Sequence, residues 1–312
     1  MDKHRITVVG GCNIDIGATA YAALQNGDSN PGRVRVSFGG VGRNIAENLV
    51  RLGQSVRMIS ALGDDAFAPL LKAQAKSVGM DLSESLLLKD ARSSVYVCIN
   101  APDGEMMVAI SDMDGCDLLT PAFLETKLEL LNASEAVVLD ANLPEASIRF
   151  LAQRCTAPLF ADSVSAKKVA KLKGVLGALR GIKTNRIEAE LLTQRQILSV
   201  QDAQRCCDDL RAAGVALALI TLGPGGAVGA LHDERLLLPP MTGKTVNTTG
   251  CGDAFFAGAV VAYLEKSNLR EILRCGLGMA ALCAAAPDTV SPDINATKLA
   301  SMLEAHQGGQ WQ

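Results

Sequence analysis

The stretch from Asn247 to Gly258 carries residue types suited to the transfer of an anionic group. Small residues come first, Asp253 follows, and an apolar helical run comes after, so Asp253 falls in the first turn of a helix. Unpaired backbone N–H groups at a helix start attract an anion, and glycines let a phosphate approach them closely. A carboxylate there would repel a bound phosphate, but it can take a proton from a hydroxyl that attacks phosphorus. The alternative is that Asp253 only caps the helix.

Three glycines, at positions 39, 40 and 42, stand before a predicted helix that contains Arg43 and Asn44. Ordinary turn geometry would explain these glycines equally well. Asp15 comes soon after the first predicted strand, and open α/β sheets bind ligands at the carboxyl ends of their strands. Asp15 and Asn44 can therefore both point into that crevice, where a carboxylate and an amide suit a polyhydroxylated sugar.

Two further blocks each have two interpretations. Asn185 precedes a predicted helix and Glu188 lies three residues later, which is the spacing of a capping box or of a pair that acts on metal-bound phosphates. The stretch from Thr221 to Gly226 ends a strand and opens into a glycine-rich turn, which a simple hairpin would also explain.

Two nucleotide-binding motifs are excluded by their spacing. Gly243-Lys244-Thr245 ends like a Walker A loop, but Leu238 stands where that loop needs its first glycine. No G-x-G-x-x-G follows the first predicted strand, so the dinucleotide fingerprint is missing.

The elements that must position these residues alternate in type along the chain. The β-branched run Ile6–Val9 predicts a buried strand, and apolar spacing predicts helices over 41–52 and 67–78, each closed by a glycine. Later strand–helix pairs include a strand over 159–161 followed by a helix from Ser165. Repeated alternation of this kind indicates a mostly parallel sheet with helices on both faces.

Two segments, residues 13–38 and 94–112, interrupt this alternation. Both look like strands without crossover helices, and the second contains an Asp103-Gly104 turn, which is typical of a hairpin. We expect them to form a small antiparallel sheet over one end of the main sheet, where it would act as a lid. No linker long enough to separate two domains is present, so residues 1–312 are predicted to form a single domain.

Composition favours a compact protein that handles small molecules. The 312 residues include 30 basic, 33 acidic and only 4% aromatic side chains, which argues against binding nucleic acid through bulk charge or stacking. Nine scattered cysteines without a C-x-x-C pair are typical of reduced thiols in a cytoplasmic protein, and three well-separated histidines argue against a zinc site. The first apolar run is too short for a signal segment or a membrane span, so no membrane partner is expected.

In this order, the four polar and glycine-rich blocks resemble the PfkB (ribokinase-like) family of carbohydrate and nucleoside kinases over essentially the whole chain. The resemblance implies a ribokinase-like three-layer α/β sandwich with a mostly parallel central sheet and a small antiparallel β lid. It also implies ATP and Mg²⁺ as cofactors. One departure is Cys251, where the family usually has alanine or another small residue. Because that position supplies a backbone amide, the thiol should be tolerated.

The resemblance also implies a role for each matching residue. Asp253 would be the base, beside an anion hole made by the backbone amides from Gly250 through Cys251 and Gly252 to Asp253. The acceptor would be held by Asn13, Asp15, Ser29, Asn30, Gly40, Arg43 and Asn44. ATP would be contacted by Asn185, Thr221, Gly223, Gly226, Ala280 and Ala284. Glu188 would act on Mg²⁺ indirectly, and K⁺ would bind at Asn247 and Thr249, although the family often has aspartate at position 247.

Three short stretches, at 28–32, 39–44 and 111–113, look like the members of this family that phosphorylate pseudouridine. Ribokinase-like sequences usually have lysine at the position of Val41 and a small residue at that of Arg43, so free ribose is disfavoured. We therefore expect ATP-dependent phosphorylation of the 5′-hydroxyl of pseudouridine. The alternatives are another nucleoside or sugar as acceptor, or a non-catalytic sensor on the same scaffold. Arg43 would contact the acceptor, pair with Asp15 or lie on the helix surface, and the chain would be a monomer or a homodimer through the lid.

Overall fold

The computed structural model describes residues 3–306 of the chain. Its strands are, in chain order, β1 (Arg5–Val9), β2 (Asn13–Ala20), β3 (Gly32–Gly39), β4 (Ser55–Ile59), β5 (Ala61–Leu62), β6 (Leu86–Leu87), β7 (Val95–Asn100), β8 (Met106–Asp112), β9 (Ala136–Asp140), β10 (Leu159–Asp162), β11 (Gly181–Asn185), β12 (Leu217–Thr221), β13 (Ala227–Leu231) and β14 (Glu234–Leu238). Its α-helices are α1 (Val41–Arg51), α2 (Phe67–Val78), α3 (Pro121–Glu125), α4 (Leu128–Asn132), α5 (Glu145–Arg154), α6 (Arg186–Thr193), α7 (Val200–Ala212), α8 (Cys251–Leu264), α9 (Leu269–Ala284) and α10 (Ala296–Ala305).

Eight of these strands form one sheet, in the order β14-β13-β12-β11-β10-β9-β1-β4. The strands from β12 to β4 in this order are parallel, whereas β13 and β14 are antiparallel additions at one edge. Ile6, Val8 and Val9 of β1 are at most 1% exposed, because a parallel strand with helices over both sheet faces is buried on both sides. The predicted mostly parallel sheet is confirmed.

Alternate residues of β1 enter two different apolar clusters, one on each face of the sheet. Val8 packs in a cluster with Ile45 of α1 and Phe256 of α8, whereas Val9 packs in a cluster with Ile148 of α5 and Cys207 of α7. Helices therefore cover both faces, and the predicted three-layer α/β sandwich is confirmed.

The predicted helices have the expected bounds with one exception. α2 spans Phe67–Val78 and ends at Gly79, which has a φ of 84°. The helix predicted from Ser165 is wrong, because a 3₁₀ helix over Val169–Ala178 takes its place. Two glycines in that run lower its α-helical propensity, and a Cβ on Gly214 would lie 2.7 Å from the Cα of one of them, Gly177. None of the helices within residues 3–306 combines the length and apolarity that crossing a membrane requires.

A second sheet, in the order β3-β2-β7-β8, forms from the two segments that interrupt the strand–helix alternation. β2 pairs with β3, and β7 with β8, in antiparallel hairpins. The inner strands β2 and β7 pair in parallel, since the amide of Ile14 bonds to the carbonyl of Ser94 and both strands run outward from there. The predicted lid sheet is present, as two antiparallel hairpins joined by one parallel pair.

Candidate active site

Asp253 lies in the first turn of α8 and is 8% exposed. The residue before this helix, Gly250, has a φ of 83°, and a Cβ there would lie 2.0 Å from the carbonyl oxygen of Thr289. Only glycine fits that position. A Cβ on Gly252 would lie 2.8 Å from Lys183 Nζ. The space in front of the first turn of α8 is therefore narrow, and backbone amides and a lysine ammonium border it. Such a space suits an anion.

The environment of Asp253 gives its carboxyl group an unusual titration. Burial is the main cause that raises the pKa of Asp253, to about 7, and the nearby Asp162 carboxylate adds to this. Lys183 and a hydrogen bond from Asn44 act in the opposite direction. The Asn44 Nδ2 donates to Asp253 Oδ2 over 2.8 Å, joining residues 209 positions apart. A carboxyl group with a pKa near neutrality can exchange a proton at physiological pH.

The sequence analysis missed three charged side chains that lie beneath this helix start. Asp140, Asp162 and Lys183 stand at or near the carboxyl ends of β9, β10 and β11, which are adjacent parallel strands. Lys183 is 7% exposed, and its Nζ lies 3.0 Å from Asp162 Oδ2. Burial disfavours the charge of Lys183, but the carboxylates of Asp162, Asp253 and Glu188 outweigh burial and raise its pKa. The signal that would have found these residues is a charged side chain at the end of an otherwise apolar strand.

Asp140 anchors the glycine loops beside the site. Its Oδ2 accepts hydrogen bonds from the backbone amides of Gly11, at 2.9 Å, and Gly42, at 2.7 Å. A Cβ on Gly10 would lie 2.5 Å from the same oxygen. Gly10 and Gly11 before β2, and Gly42 in the first turn of α1, therefore allow a close approach to a buried carboxylate, which is more than ordinary turn geometry requires.

Four predicted acceptor residues lie where the start of β2 meets the start of α1, namely Asn13, Asp15, Gly40 and Asn44. The Asn13 Nδ2 donates to Asp15 Oδ1 over 2.6 Å, and burial raises the pKa of Asp15. Gly40 adopts a φ of 98° as the residue that precedes α1. The lid register places Tyr96 and Ser111 in one cross-strand row with Asp15. The lid thus adds Tyr96, which the sequence analysis did not single out, and places Ser111 of the stretch 111–113 beside it.

Arg43 is buried, so the prediction that it lies on the helix surface is wrong. Its ion pair is with Glu47 and not with Asp15, because Glu47 follows one helical turn later on the same buried face. Its Nη1 also donates to Asn44 Oδ1 over 3.0 Å. Arg43 therefore orients the Asn44 amide so that Nδ2 faces Asp253.

Ser29 and Asn30 lie in the turn between β2 and β3. The Asn30 side chain accepts from the amide of Gln25 and donates to the carbonyls of Gln25 and Asp28, over 2.8 to 3.0 Å. Ser29 is exposed. The hydrogen bonds of Asn30 thus stay within the turn, and the structure does not join these two residues to the Asn44–Asp253 pair by a hydrogen bond.

A cleft of about 660 Å³ opens on the other side of the start of α8. Its volume lies within the usual range for small-molecule sites. The cleft reaches Cys251 and Gly252 at the first turn of α8. All six residues predicted to contact ATP line it, namely Asn185, Thr221, Gly223, Gly226, Ala280 and Ala284.

Asn185 and Glu188 form the capping box that their spacing allows. The Glu188 amide donates to Asn185 Oδ1 over 2.9 Å, and Glu188 Oε2 accepts from the Asn185 amide over 2.7 Å. Glu188 also accepts from Ser163 and is 1% exposed, so its carboxylate lies behind the cleft wall. Within the described residues no group of three acidic, histidine or cysteine side chains surrounds a metal position. Asn185 and Thr221 line the cleft with an amide and a hydroxyl group, which are the kind of oxygen donors that Mg²⁺ bound with nucleotide phosphates would reach through water.

A buried acid at a helix start, between a polar lid and a cleft in a mostly parallel α/β sandwich, is the architecture of an α/β phosphotransferase. The sequence profile described as "pfkB family carbohydrate kinase" matches residues 3–296. The chain therefore belongs to the pfkB family and is a kinase with the ribokinase-like fold.

Individual relatives agree with this assignment. The chain is 28% identical over 305 residues to the pseudouridine kinase of Escherichia coli K12, covering 97% of each protein. It is 28% identical to the guanosine-inosine kinase of Exiguobacterium acetylicum, covering 89% of this chain and 93% of that one. A solved carbohydrate kinase from Agrobacterium tumefaciens superposes with a TM-score of 0.86 at 32% identity, covering 96% of this chain and 97% of that one.

Proposed function

We propose that the protein transfers the γ-phosphoryl group of ATP to the 5′-hydroxyl of pseudouridine. The observation that carries the proposal is the hydrogen bond between Asn44 and Asp253, which joins the predicted acceptor side to the predicted base. The similarity to the E. coli pseudouridine kinase along almost the whole chain supports this acceptor. Val41 stands where ribokinase-like sequences usually have lysine, which disfavours free ribose.

In the proposed reaction the acceptor lies between the lid and Asp253. As the 5′-oxygen forms its bond to the γ-phosphorus, the Asp253 carboxylate takes the hydroxyl proton and the bond from the γ-phosphorus to ADP breaks. The amides of residues 250–253 and the Lys183 ammonium offset charge on the phosphoryl oxygens. Closure of the lid excludes water, which competes as an acceptor.

Mg²⁺ bound with ATP would neutralise charge on the β- and γ-phosphates. Asn185 lines the cleft, and Glu188 behind it holds the Asn185 amide in place through a 2.7 Å hydrogen bond from Asn185 Nδ2. Asn185 would therefore contact the water that carries the metal, and Glu188 would orient Asn185.

A panel of acceptors with ATP and Mg²⁺ tests the proposal. Pseudouridine, uridine, inosine, adenosine, ribose and fructose 6-phosphate are compared by kcat/KM for ADP release. Pseudouridine should give the highest value, and uridine is the sharpest control because it differs only in the atom of the base joined to the sugar. A higher kcat/KM for inosine or for a sugar would replace pseudouridine with that acceptor. If no acceptor in the panel supports ADP release, the result would favour a non-catalytic sensor.

A further inference from the structure

The anion hole at the start of α8 is held between two loops. Residues 247–250 lead into the helix, and residues 285–290 follow α9 and pass beside it. Gly250 packs directly against the carbonyl of Thr289. The distance between these loops therefore sets where the amides of residues 250–253 stand.

The side chain of Asn247 joins the two loops. Its Oδ1 accepts from the Thr249 amide over 3.0 Å, and its Nδ2 donates to the Pro287 carbonyl over 3.1 Å. The backbone donor fixes the orientation, because a flipped side chain would place two N–H groups, of Thr249 and of Asn247, against each other. The neutral amide of Asn247 thus connects both loops.

The carbonyl groups around Asn247 also face donors. Cys251 Sγ lies 3.8 Å from the Asn247 carbonyl oxygen, and Cys283 Sγ lies 3.3 Å from that of Thr289. The acidic side chain of this loop, Asp288, pairs with Arg35 of the lid. A bound K⁺ needs several oxygen ligands turned toward it, so the cation site predicted at Asn247 and Thr249 does not fit the residues present.

We propose that Asn247 is a positioning residue that takes the place of a monovalent cation, so that nucleotide binding and turnover do not depend on K⁺. The part of this inference that concerns turnover rests on the proposed function, whereas the part that concerns nucleotide binding does not. Asn247→Asp would remove the bridging N–H and add a negative charge among carbonyl oxygens. In that variant the two loops would repel each other unless a cation entered between them.

The test compares thermal unfolding midpoints without nucleotide, and ADP affinity by calorimetry, in KCl and in choline chloride of equal ionic strength. The wild type should give the same values in both salts. Asn247→Asp should bind ADP about tenfold more weakly in choline, as expected when a hydrogen-bonded bridge is lost, and should regain both affinity and midpoint in KCl. Asn268→Asp is the matched control, since Asn268 caps the far end of α9 and aspartate caps equally well.

Tighter ADP binding by the wild type in KCl than in choline chloride would overturn the proposal. An Asn247→Asp variant with the same unfolding midpoint in both salts would also overturn it. If that variant does not fold, the wild-type comparison alone decides. Neither readout uses an acceptor, so a wrong choice of pseudouridine would leave this result unchanged.

Discussion

At the residue scale, Asp253 is reached by a series of contacts that starts at Glu47, one turn along α1 from Arg43. Glu47 pairs with Arg43, Arg43 bonds to Asn44 Oδ1, and Asn44 Nδ2 faces Asp253. A buried ion pair adds little net stability, because the cost of desolvating both charges offsets their attraction. We infer that the Glu47–Arg43 pair fixes the Asn44 amide, and thereby which oxygen of Asp253 stays free for a proton.

Asp253→Asn tests the role of the carboxylate itself. The variant keeps an oxygen for the hydrogen bond from Asn44 but cannot take a proton, so turnover should fall by at least ~10²-fold. ADP affinity and the unfolding midpoint should stay near wild type. Asp208→Asn is the control, since Asp208 lies on α7 in a half-exposed pair with Arg235. Turnover of Asp253→Asn within a few-fold of wild type would remove Asp253 from the mechanism.

The pH profile tests Lys183. Because the pKa of Asp253 is about 7 and the base must be ionised, wild-type kcat/KM should fall as pH drops below about 7. Lys183 lowers that pKa, so Lys183→Met should shift the acid limb to higher pH, whereas Lys183→Arg should keep it near the wild-type position. A uniform loss of activity in Lys183→Met, with an unmoved acid limb, would show that Lys183 does not act through Asp253.

The candidate site residues predicted from sequence lie in local motifs, whereas those that were missed come together through contacts between strands. Asp253, Asn44 and the glycines before α1 and α8 lie in local motifs, so their spacing along the chain carries the signal. Asp162 and Lys183 come together because β10 and β11 are neighbours in the sheet. Strand order is set by packing between segments that are far apart in the chain. The spacing of residues along the sequence therefore does not reveal which strands become neighbours.

At the element scale, the lid connects to the loop beside the anion hole. Arg35 of β3 pairs with Asp288, which follows α9. The same loop receives the Asn247 hydrogen bond at Pro287. Residues 285–290 therefore contact both the lid and the loop that leads into α8.

Asp288→Asn should weaken lid closure because it removes the ion pair with Arg35. Exposed ion pairs contribute about 0–1 kcal/mol, so KM for the acceptor should rise by at most about fivefold, more at low salt than at high salt, while kcat stays unchanged. Asp81→Asn, which breaks the half-exposed pair with Arg57 far from the lid, is the matched control. Steady-state kinetics at two ionic strengths checks this, and an equal KM in both variants would exclude a role of the Arg35–Asp288 pair in lid closure.

At the scale of the whole molecule, the two faces of the lid differ in character. Asp15, Tyr96 and Ser111 share one face through the strand register. The other face has a row formed by Val36, Ile16, Val97 and Ile110, and a second row formed by Val34, Ala18, Ile99 and Val108. The polar face is the one that carries the predicted acceptor residues, so the apolar face points away from the acceptor.

We propose that this apolar face pairs with the same face of a second chain. Val34, Val36, Val108 and Ile110 are 52 to 69% exposed, and contiguous exposed apolar surface marks association sites. The outer strands β3 and β8 are also unpaired edges of the lid sheet. Two copies related by a two-fold axis would cover the apolar face of each lid.

Ile110→Lys should therefore shift the protein from dimer to monomer in sedimentation velocity, because it places a charge at the β8 end of the apolar row, in a side chain that is 69% exposed. Leu198→Lys is the matched control, since Leu198 is 80% exposed in the turn before α7 and is absent from the lid. The monomer should retain its unfolding transition, as Ile110 contributes little to the core. A wild-type protein that sediments as a monomer at all concentrations, or an Ile110→Lys variant that stays dimeric, would exclude this interface.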